Sequence, residues 1–181
     1  MHAALAAFAR VAQREHIRWY VFGAQAVNLH GFPRLTADLD LTVDLAELSP
    51  QRFVAALGKA GFQMRFTDDG FIAATRVIPV TFDGYQVDLV LAGTGIEQAF
   101  LDEVVIKRLG SVRVPVISRE HLVVTKILAS RPKDLEDVRE LLAMRELDHE
   151  KVEGVLAVIE EALDDSTLRA TYRRLRAKLR R

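Results

Sequence analysis

The most constraining feature of this sequence is a pair of aspartates two residues apart in an otherwise apolar stretch. Asp38 and Asp40 alternate with Leu39 and Leu41. Side chains at positions i and i+2 of a β-strand point to the same face, so a strand here would hold the two carboxylates about 6–7 Å apart. Hard oxygen ligands so placed suit Mg²⁺. The pattern predicts a strand with a metal-binding face, and leaves open an amphipathic strand whose polar face is only solvated.

A third aspartate lies in an equally apolar setting. Asp88 is flanked by Val87 and Leu89, in a segment that follows a turn signal at Asp83-Gly84. A neighbouring strand here would bring Asp88 to the first pair and complete a three-carboxylate site. The alternative is a solvent-facing acid on a hairpin strand; Asp83 and Asp102 are poorer candidates for the third ligand.

The composition permits such a site without requiring it. The chain has 181 residues, half of them apolar, which is enough for one domain or two small ones. The absence of cysteine excludes disulfides and thiolate zinc sites. No apolar run reaches the length of a membrane span, and the Ala-rich start lacks the basic region of a signal peptide. We expect a soluble cytoplasmic protein with no membrane partner.

Apolar periodicity and turn residues predict an α/β segment over residues 1–117, followed by a helical segment over residues 118–181. The predicted helices of the first segment are 3–15, 24–30 and 51–60. Its predicted strands are 18–22, 39–44, 62–66, 71–76, 79–82, 85–91, 104–109 and 112–116. The predicted helices of the second segment are 119–130, 133–145, 149–162 and 166–179.

Two ordered motifs resemble a known superfamily. The order Gly23-Ala24, Asp38-Leu39-Asp40, Asp88 resembles the polymerase-β-like nucleotidyltransferases, whose signature is an apolar residue, a Gly-Gly/Ser pair and a later Asp-apolar-Asp/Glu element. The segment 34–40 is similar to the Arg-x-Thr-x-Asp-apolar-Asp version of that element, and the segment 126–138 to the Lys…Arg/Lys-Asp-x-x-Asp motif of AbiEii-type proteins. That family includes type IV toxin–antitoxin toxins and MenT tRNA nucleotidyltransferase toxins. The resemblance covers roughly residues 18–145.

The resemblance implies a mixed sheet flanked by helices, with a small helical C-terminal lobe. It also implies Mg²⁺-dependent transfer of a nucleoside monophosphate from an NTP to an acceptor hydroxyl, with release of pyrophosphate. Asp38, Asp40 and Asp88 would hold two Mg²⁺ ions, and Asp88 would help to deprotonate the hydroxyl. Lys126 would bind the β- and γ-phosphates as a point charge.

The nucleotide would dock over the helix that begins at Gly23-Ala24, where free N–H groups favour an anion and glycine permits close approach. Ala24 departs from the Ser or Gly of many members, and Gln25 is a candidate replacement donor. The residues that the resemblance assigns to nucleotide binding are Gly23, Ala24, Gln25, Arg34, Thr36, Lys126, Asp134 and Asp137. The residues themselves leave alternatives open: Thr36 as a turn cap, Lys126 as a surface lysine, and Asp134 and Asp137 as acids of a helix first turn.

The basic segment at the end of the chain is relevant to which acceptor the protein would use. Residues 166–181 contain seven basic residues and no acid, interleaved with apolar residues at helical spacing. Such a helix could bind RNA, so we expect an RNA acceptor such as tRNA, and an antitoxin partner if the chain is a toxin. The alternatives are a docked helix with a solvated polar face, an aminoglycoside-type nucleotidyltransferase with an acidic acceptor pocket, and a non-catalytic domain that binds nucleotide or a protein partner. The sequence leaves the oligomeric state open.

Overall fold

The computed structural model describes residues 1–66, 68–144 and 146–179, except for the side chain of Asp69. The chain forms two compact units. Unit 1 contains residues 1–29 and 33–117, and unit 2 contains residues 30–32 together with the chain from Ser118 onward.

The helices of unit 1 are α1 (His2–Arg14), α2 (Gly23–Leu29), α3 (Pro50–Lys59), α4 (Asp69–Thr75) and α5 (Ile96–Asp102). Its strands are β1 (Arg18–Phe22), β2 (Asp38–Asp44), β3 (Gln63–Met64), β4 (Val77–Phe82), β5 (Tyr85–Leu91), β6 (Val105–Leu109) and β7 (Val112–Val116).

These strands form one mixed sheet of seven strands in the order β3-β4-β5-β2-β1-β7-β6. At its centre β2 runs antiparallel to β1 and parallel to β5. The predicted fold class, a mixed sheet flanked by helices and followed by C-terminal helices, is confirmed. The strand that carries the first two acids is therefore central, with a partner on each side.

One face of the sheet is covered by α1 and α3. The ring of Phe8 on α1 packs edge-on against Trp19 of β1, with centroids 5.1 Å apart, and against Phe53 of α3 at 6.4 Å. Leu39 and Leu41 are fully buried on this face. Because neighbouring residues of a strand point to opposite faces, their burial turns the alternating acids of β2 to the other face.

The segment after β3 corrects one prediction. Residues 71–76 were expected to form a strand, but α4 occupies Asp69–Thr75. The Asp68 side chain accepts a hydrogen bond from the N–H of Phe71 at 3.0 Å, and Arg76 ends the helix with φ of 57°. Caps at both ends stabilise a helix that the apolar content alone did not indicate. Helix α5 was not predicted either.

Unit 2 is helical, as expected. Its helices are α6 (Arg119–Ala129), α7 (Pro132–Ala143), α8 (His149–Leu163) and α9 (Leu168–Lys178). Their buried core includes Leu122, Val138, Leu156 and Tyr172. Within residues 1–66, 68–144 and 146–179, we find no helix with the length and apolar character that a bilayer crossing requires.

Candidate active site

Strand pairing brings the predicted acids together. Asp40 on β2 lies directly opposite Asp88 on the parallel strand β5, and Asp38 precedes Asp40 by two residues. Residues in register on adjacent strands, and residues two apart on one strand, share a face of the sheet. Asp38 is exposed, and Asp40 and Asp88 are half-buried. All three carboxyl groups therefore belong to one accessible face.

Gly23 lies beneath Asp40. Phe22 is the residue of β1 that lies opposite Asp40, and Gly23 follows it directly in the chain. A β-carbon on Gly23 would lie 2.9 Å from Asp40 Cγ and closer still to Oδ2, and the φ of Gly23 is +65°. Both the crowding and the left-handed backbone require glycine. The close approach in the structure is to a carboxylate, whereas the sequence suggested an approach by phosphate.

Arg65, which the sequence analysis did not single out, binds Asp88. It follows β3, and its Nη2 donates to Asp88 Oδ1 while its Nη1 donates to Gln86 Oε1 at 2.8 Å. The Arg65 backbone N–H also donates to the carbonyl oxygen of Pro79 at 3.0 Å. The sequence holds no signal for this contact, because it depends on the pairing of β3, β4 and β5.

The metal-ligating role of these acids stays a prediction. Mg²⁺ prefers carboxylate oxygens as ligands, and these carboxylates lie on one face of two adjacent strands. Their chemistry and their backbone positions therefore suit a Mg²⁺ site. Among the residues that the structure describes, however, no three Asp, Glu, His or Cys side chains converge on a single ion position. At least one oxygen of Asp88 is engaged by Arg65.

The loop before β2 is held by two side chains. Asn28 Oδ1 accepts from the Arg34 N–H at 2.6 Å, and Asn28 Nδ2 donates to the Arg34 carbonyl at 3.0 Å. Thr36 Oγ1 accepts from the N–H of Asp38 at 3.3 Å, as expected for a turn cap. Asn28 was expected to be only a loop or helix-end residue. Its two bonds instead fix the loop that leads into Asp38.

The two other candidates on α2 differ in accessibility. Gln25 is 4% exposed, and its Oε1 accepts a hydrogen bond from Asn28 Nδ2 at 3.1 Å. Ala24 is half-buried in the first turn of the helix. Gln25 therefore supports the Asn28 side chain, and its role as a phosphate donor stays a prediction.

The motif at residues 126–138 forms a buried ion-pair cluster in unit 2. Lys126 is 6% exposed, and its Nζ lies 2.9 Å from Asp134 Oδ1 and 2.7 Å from Asp137 Oδ2. Burial alone would raise the pKa of Asp134, but hydrogen bonds from Arg131 and Lys126 lower it below its ordinary range. The cluster joins α6 to α7, which excludes the surface-lysine alternative. A phosphate-binding role for these residues stays a prediction.

The basic helix α9 is docked on its neighbour. Arg169 Nε lies 2.5 Å from Glu160 Oε2, and Glu153 pairs with both Arg173 and Arg176. Tyr172 is completely buried, and its hydroxyl lies 2.7 Å from His149 Nδ1 of α8. These contacts favour the docked-helix alternative for much of the basic segment. Arg180 and Arg181 lie outside the described residues.

A comparison with protein families finds a match over the second part of the chain. The family described as "Nucleotidyltransferase of unknown function (DUF6036)" matches residues 99–180. The matched region begins in α5 and runs through unit 2, so it does not include the three acids. No curated protein matches the chain significantly.

Solved structures share the fold at low identity. The antibiotic-resistance factor ANT(2″)-Ia is 16% identical, with a TM-score of 0.62 over 90% of this chain and 92% of that one. A nucleotidyltransferase-like antigenic protein from Paracoccidioides brasiliensis is 18% identical, with a TM-score of 0.56 over 95% and 91%. The lincosamide adenylyltransferase LnuA is 15% identical, with a TM-score of 0.52 over 77% and 94%.

At these identities the structures show the fold, which is that of nucleotidyltransferases. Together with the family match, they support a nucleotidyltransferase enzyme and the superfamily that the sequence motifs resemble. They do not support the narrower assignment to AbiEii-type toxins.

Proposed function

We propose that this chain transfers a nucleoside monophosphate from an NTP to a hydroxyl group of an acceptor, in a reaction that depends on a divalent metal. The observation that carries the proposal is the register of the central strands, which sets Asp40 opposite Asp88 and Asp38 on the same face. Three carboxyl groups on an accessible sheet face, in a nucleotidyltransferase fold, fit metal-dependent phosphoryl chemistry better than a purely structural role.

Each acid has a distinct task in this proposal. Asp38 and Asp40 supply oxygen ligands from one strand, and the contact with Gly23 limits the positions that the Asp40 carboxylate can adopt. Asp88 would supply a further metal ligand and would accept the proton of the acceptor hydroxyl as the hydroxyl oxygen bonds to the α-phosphorus. The bond from the α-phosphorus to the bridging oxygen then breaks, and pyrophosphate leaves. Bound Mg²⁺ would offset the charge that develops on the phosphate oxygens.

For the acceptor, we propose a small hydroxyl-bearing compound. Structural relatives include LnuA, an adenylyltransferase of lincosamides, and a second structure of ANT(2″)-Ia holds adenylyl-2″-tobramycin, at 16% identity and a TM-score of 0.60 over 90% of this chain and 98% of that one. In addition, the arginines Arg169 and Arg173 of α9 are neutralised by glutamates of α8, which weakens the case for a polyanion.

RNA is the second candidate acceptor. Arg174 and Lys178 are exposed on α9, and each exposed cation can contribute a phosphate contact. A toxin role with an antitoxin partner belongs to this candidate, because the toxins that the motifs resemble modify tRNA.

The experiment is transfer of label from each α-³²P NTP, with Mg²⁺, onto aminoglycosides, lincosamides and total tRNA. The Asp40→Asn/Asp88→Asn protein tests the site, and Asp83→Asn controls for the loss of an acid in the exposed turn between β4 and β5. We expect a labelled small molecule with the wild type and Asp83→Asn, and none with the double variant. Labelled tRNA would select the RNA acceptor. Undiminished transfer by the double variant would refute the assignment of the acids, and no transfer to any acceptor would favour a binding domain.

A further inference from the structure

Arg65 reaches Asp88 from the β3 edge of the sheet, whereas the other two acids lie beyond β5 in the opposite direction. In the strand order β3-β4-β5-β2, Arg65 follows β3, whereas Asp38 and Asp40 lie on β2. The guanidinium extends past β4 to reach the Asp88 Oδ1 on β5. The ion pair therefore holds this carboxylate from the side opposite to its predicted co-ligands.

The position of Arg65 does not depend on Asp88 alone. Its Nη1 donates to Gln86 Oε1 at 2.8 Å, and its backbone N–H donates to the Pro79 carbonyl at 3.0 Å. Gln86 precedes Asp88 by two residues and therefore faces the same way. The forked guanidinium binds both side chains, and the bonds to Gln86 and Pro79 would keep Arg65 in place when Asp88 turns away.

The ion pair between Arg65 and Asp88 reduces a repulsion between two aspartates. Asp40 and Asp88 lie directly opposite each other, and like charges in that position destabilise a sheet. Arg65 offsets the charge of one of them in the metal-free protein. A divalent cation between the strands would remove the same repulsion, but it would also repel the guanidinium. Arg65 and the metal are therefore competing counter-ions for one carboxylate.

We propose that Arg65 is a positioning residue that holds Asp88 away from Asp38 and Asp40 until a divalent ion displaces it. Loading of the metal site is then an exchange of ion pairs, in which Asp88 leaves the guanidinium and joins the other two carboxylates. This account fits the lack of a convergent three-ligand group among the described residues while Arg65 is bound. The inference rests on the proposed metal role of Asp88.

The test is the affinity of the nucleotide-free protein for Mn²⁺, measured from the electron paramagnetic resonance signal of free Mn²⁺. Arg65→Gln removes the competing cation. Arg76→Gln is the matched control, because Arg76 pairs with Glu97 elsewhere in unit 1 and its loss changes the net charge equally. We expect Arg65→Gln to bind Mn²⁺ about two- to five-fold more tightly than wild type, in keeping with the modest strength of a partly exposed ion pair. Arg76→Gln should change the affinity less than two-fold.

A second readout concerns the metal-free protein. Without Mn²⁺, Arg65→Gln should melt at a lower temperature than wild type, and saturating Mn²⁺ should narrow that difference because the metal replaces the lost charge. A difference that Mn²⁺ does not narrow would contradict the exchange.

The outcomes separate this inference from the proposed function. If Asp88→Asn weakens Mn²⁺ binding but Arg65→Gln does not tighten it beyond Arg76→Gln, the competition is refuted and the metal site stands. Weaker Mn²⁺ binding by Arg65→Gln would also overturn the inference, since Arg65 would then orient Asp88 for the metal. If Asp88→Asn binds Mn²⁺ as well as wild type, the proposed metal role of Asp88 fails, and the exchange fails with it.

Discussion

The Asp40 carboxylate lies against the backbone of Gly23, at a distance that leaves no room for a β-carbon on residue 23. The contact arises because β1 ends opposite Asp40 and the chain turns directly into α2. Gly23 thus lies between the end of β1 and the start of α2, and it also limits where the Asp40 carboxylate can lie.

Replacement of Gly23 by alanine should reduce nucleotidyl transfer at least ten-fold. The new β-carbon would meet Asp40 Cγ at 2.9 Å and force the carboxylate to move, and alanine would be strained at φ +65°. The control is Gly84→Ala, because Gly84 has a similar φ of +75° but nothing within 4 Å of an added β-carbon. Both variants should lose about 1–2 kcal/mol of stability from backbone strain, and only Gly23→Ala should lose further stability and activity. Equal transfer rates in the two variants would show that the Asp40 position is unimportant.

Replacement of Asn28 by alanine should raise the KM for NTP about ten-fold with a smaller effect on kcat. Asn28 bonds both the N–H and the carbonyl of Arg34, and its loss frees the loop that precedes Asp38. A loop that must be ordered on binding costs affinity. Steady-state kinetics with varied NTP measure the effect, and Asn28→Asp, which keeps only the accepting oxygen, should fall between alanine and wild type. An unchanged KM would mean that the loop does not contact the nucleotide.

Replacement of Lys126 by methionine should destabilise the protein by about 3 kcal/mol. The variant would leave Asp134 and Asp137 buried without the ammonium that pairs with both, and loss of one partner of a buried pair carries a cost of this size. Urea unfolding followed by circular dichroism measures it, with the exposed Lys133→Met as the control. If Lys126→Met unfolds like wild type but shows a raised KM for NTP, the phosphate-binding role would be favoured over the structural one.

Replacement of Glu153 by glutamine should strengthen binding to polyanions. Glu153 pairs with Arg173 and Arg176, so its neutralisation would release two cations on α9. We expect tighter binding to tRNA and a steeper dependence on salt, by about two ion equivalents, in fluorescence titrations. Glu161→Gln removes the same charge from an exposed position of α8 and serves as the comparison. Identical salt slopes for the two variants would argue that α9 does not meet nucleic acid.

Much of the fold could be predicted because its signals are local. The alternation of Asp38, Leu39 and Asp40 places the acids and the core on opposite sides of β2 without any knowledge of the partner strands. The Ser49-Pro50 pair likewise predicts the start of α3, and Ser49 does accept a hydrogen bond from the N–H of Arg52. Helix α4 was missed because Phe71 and Ile72 suit a strand as well as a helix, and the decisive contact is the cap from Asp68.

The candidate site was predictable only in its acids. Asp88 could be matched to Asp40 because both lie in apolar runs, but the exact register required the folded sheet. Arg65 and Asn28 carry no pattern that distinguishes them from other polar residues near chain turns. Their partners are the Asp88 side chain and the Arg34 backbone, and sequence alone does not reveal which chain segments meet.

The pairing of β2 with β5 also links catalysis to the fidelity of folding. A slip of one residue between these strands would turn the Asp88 side chain to the core face and those of Val87 and Leu89 to the opposite face. A slipped sheet would place a carboxylate among the buried leucines, and the charge would destabilise that arrangement. The acid that the proposed chemistry requires therefore also discriminates against a misaligned sheet. Under that proposal, selection for activity and selection for correct strand alignment act on the same residue.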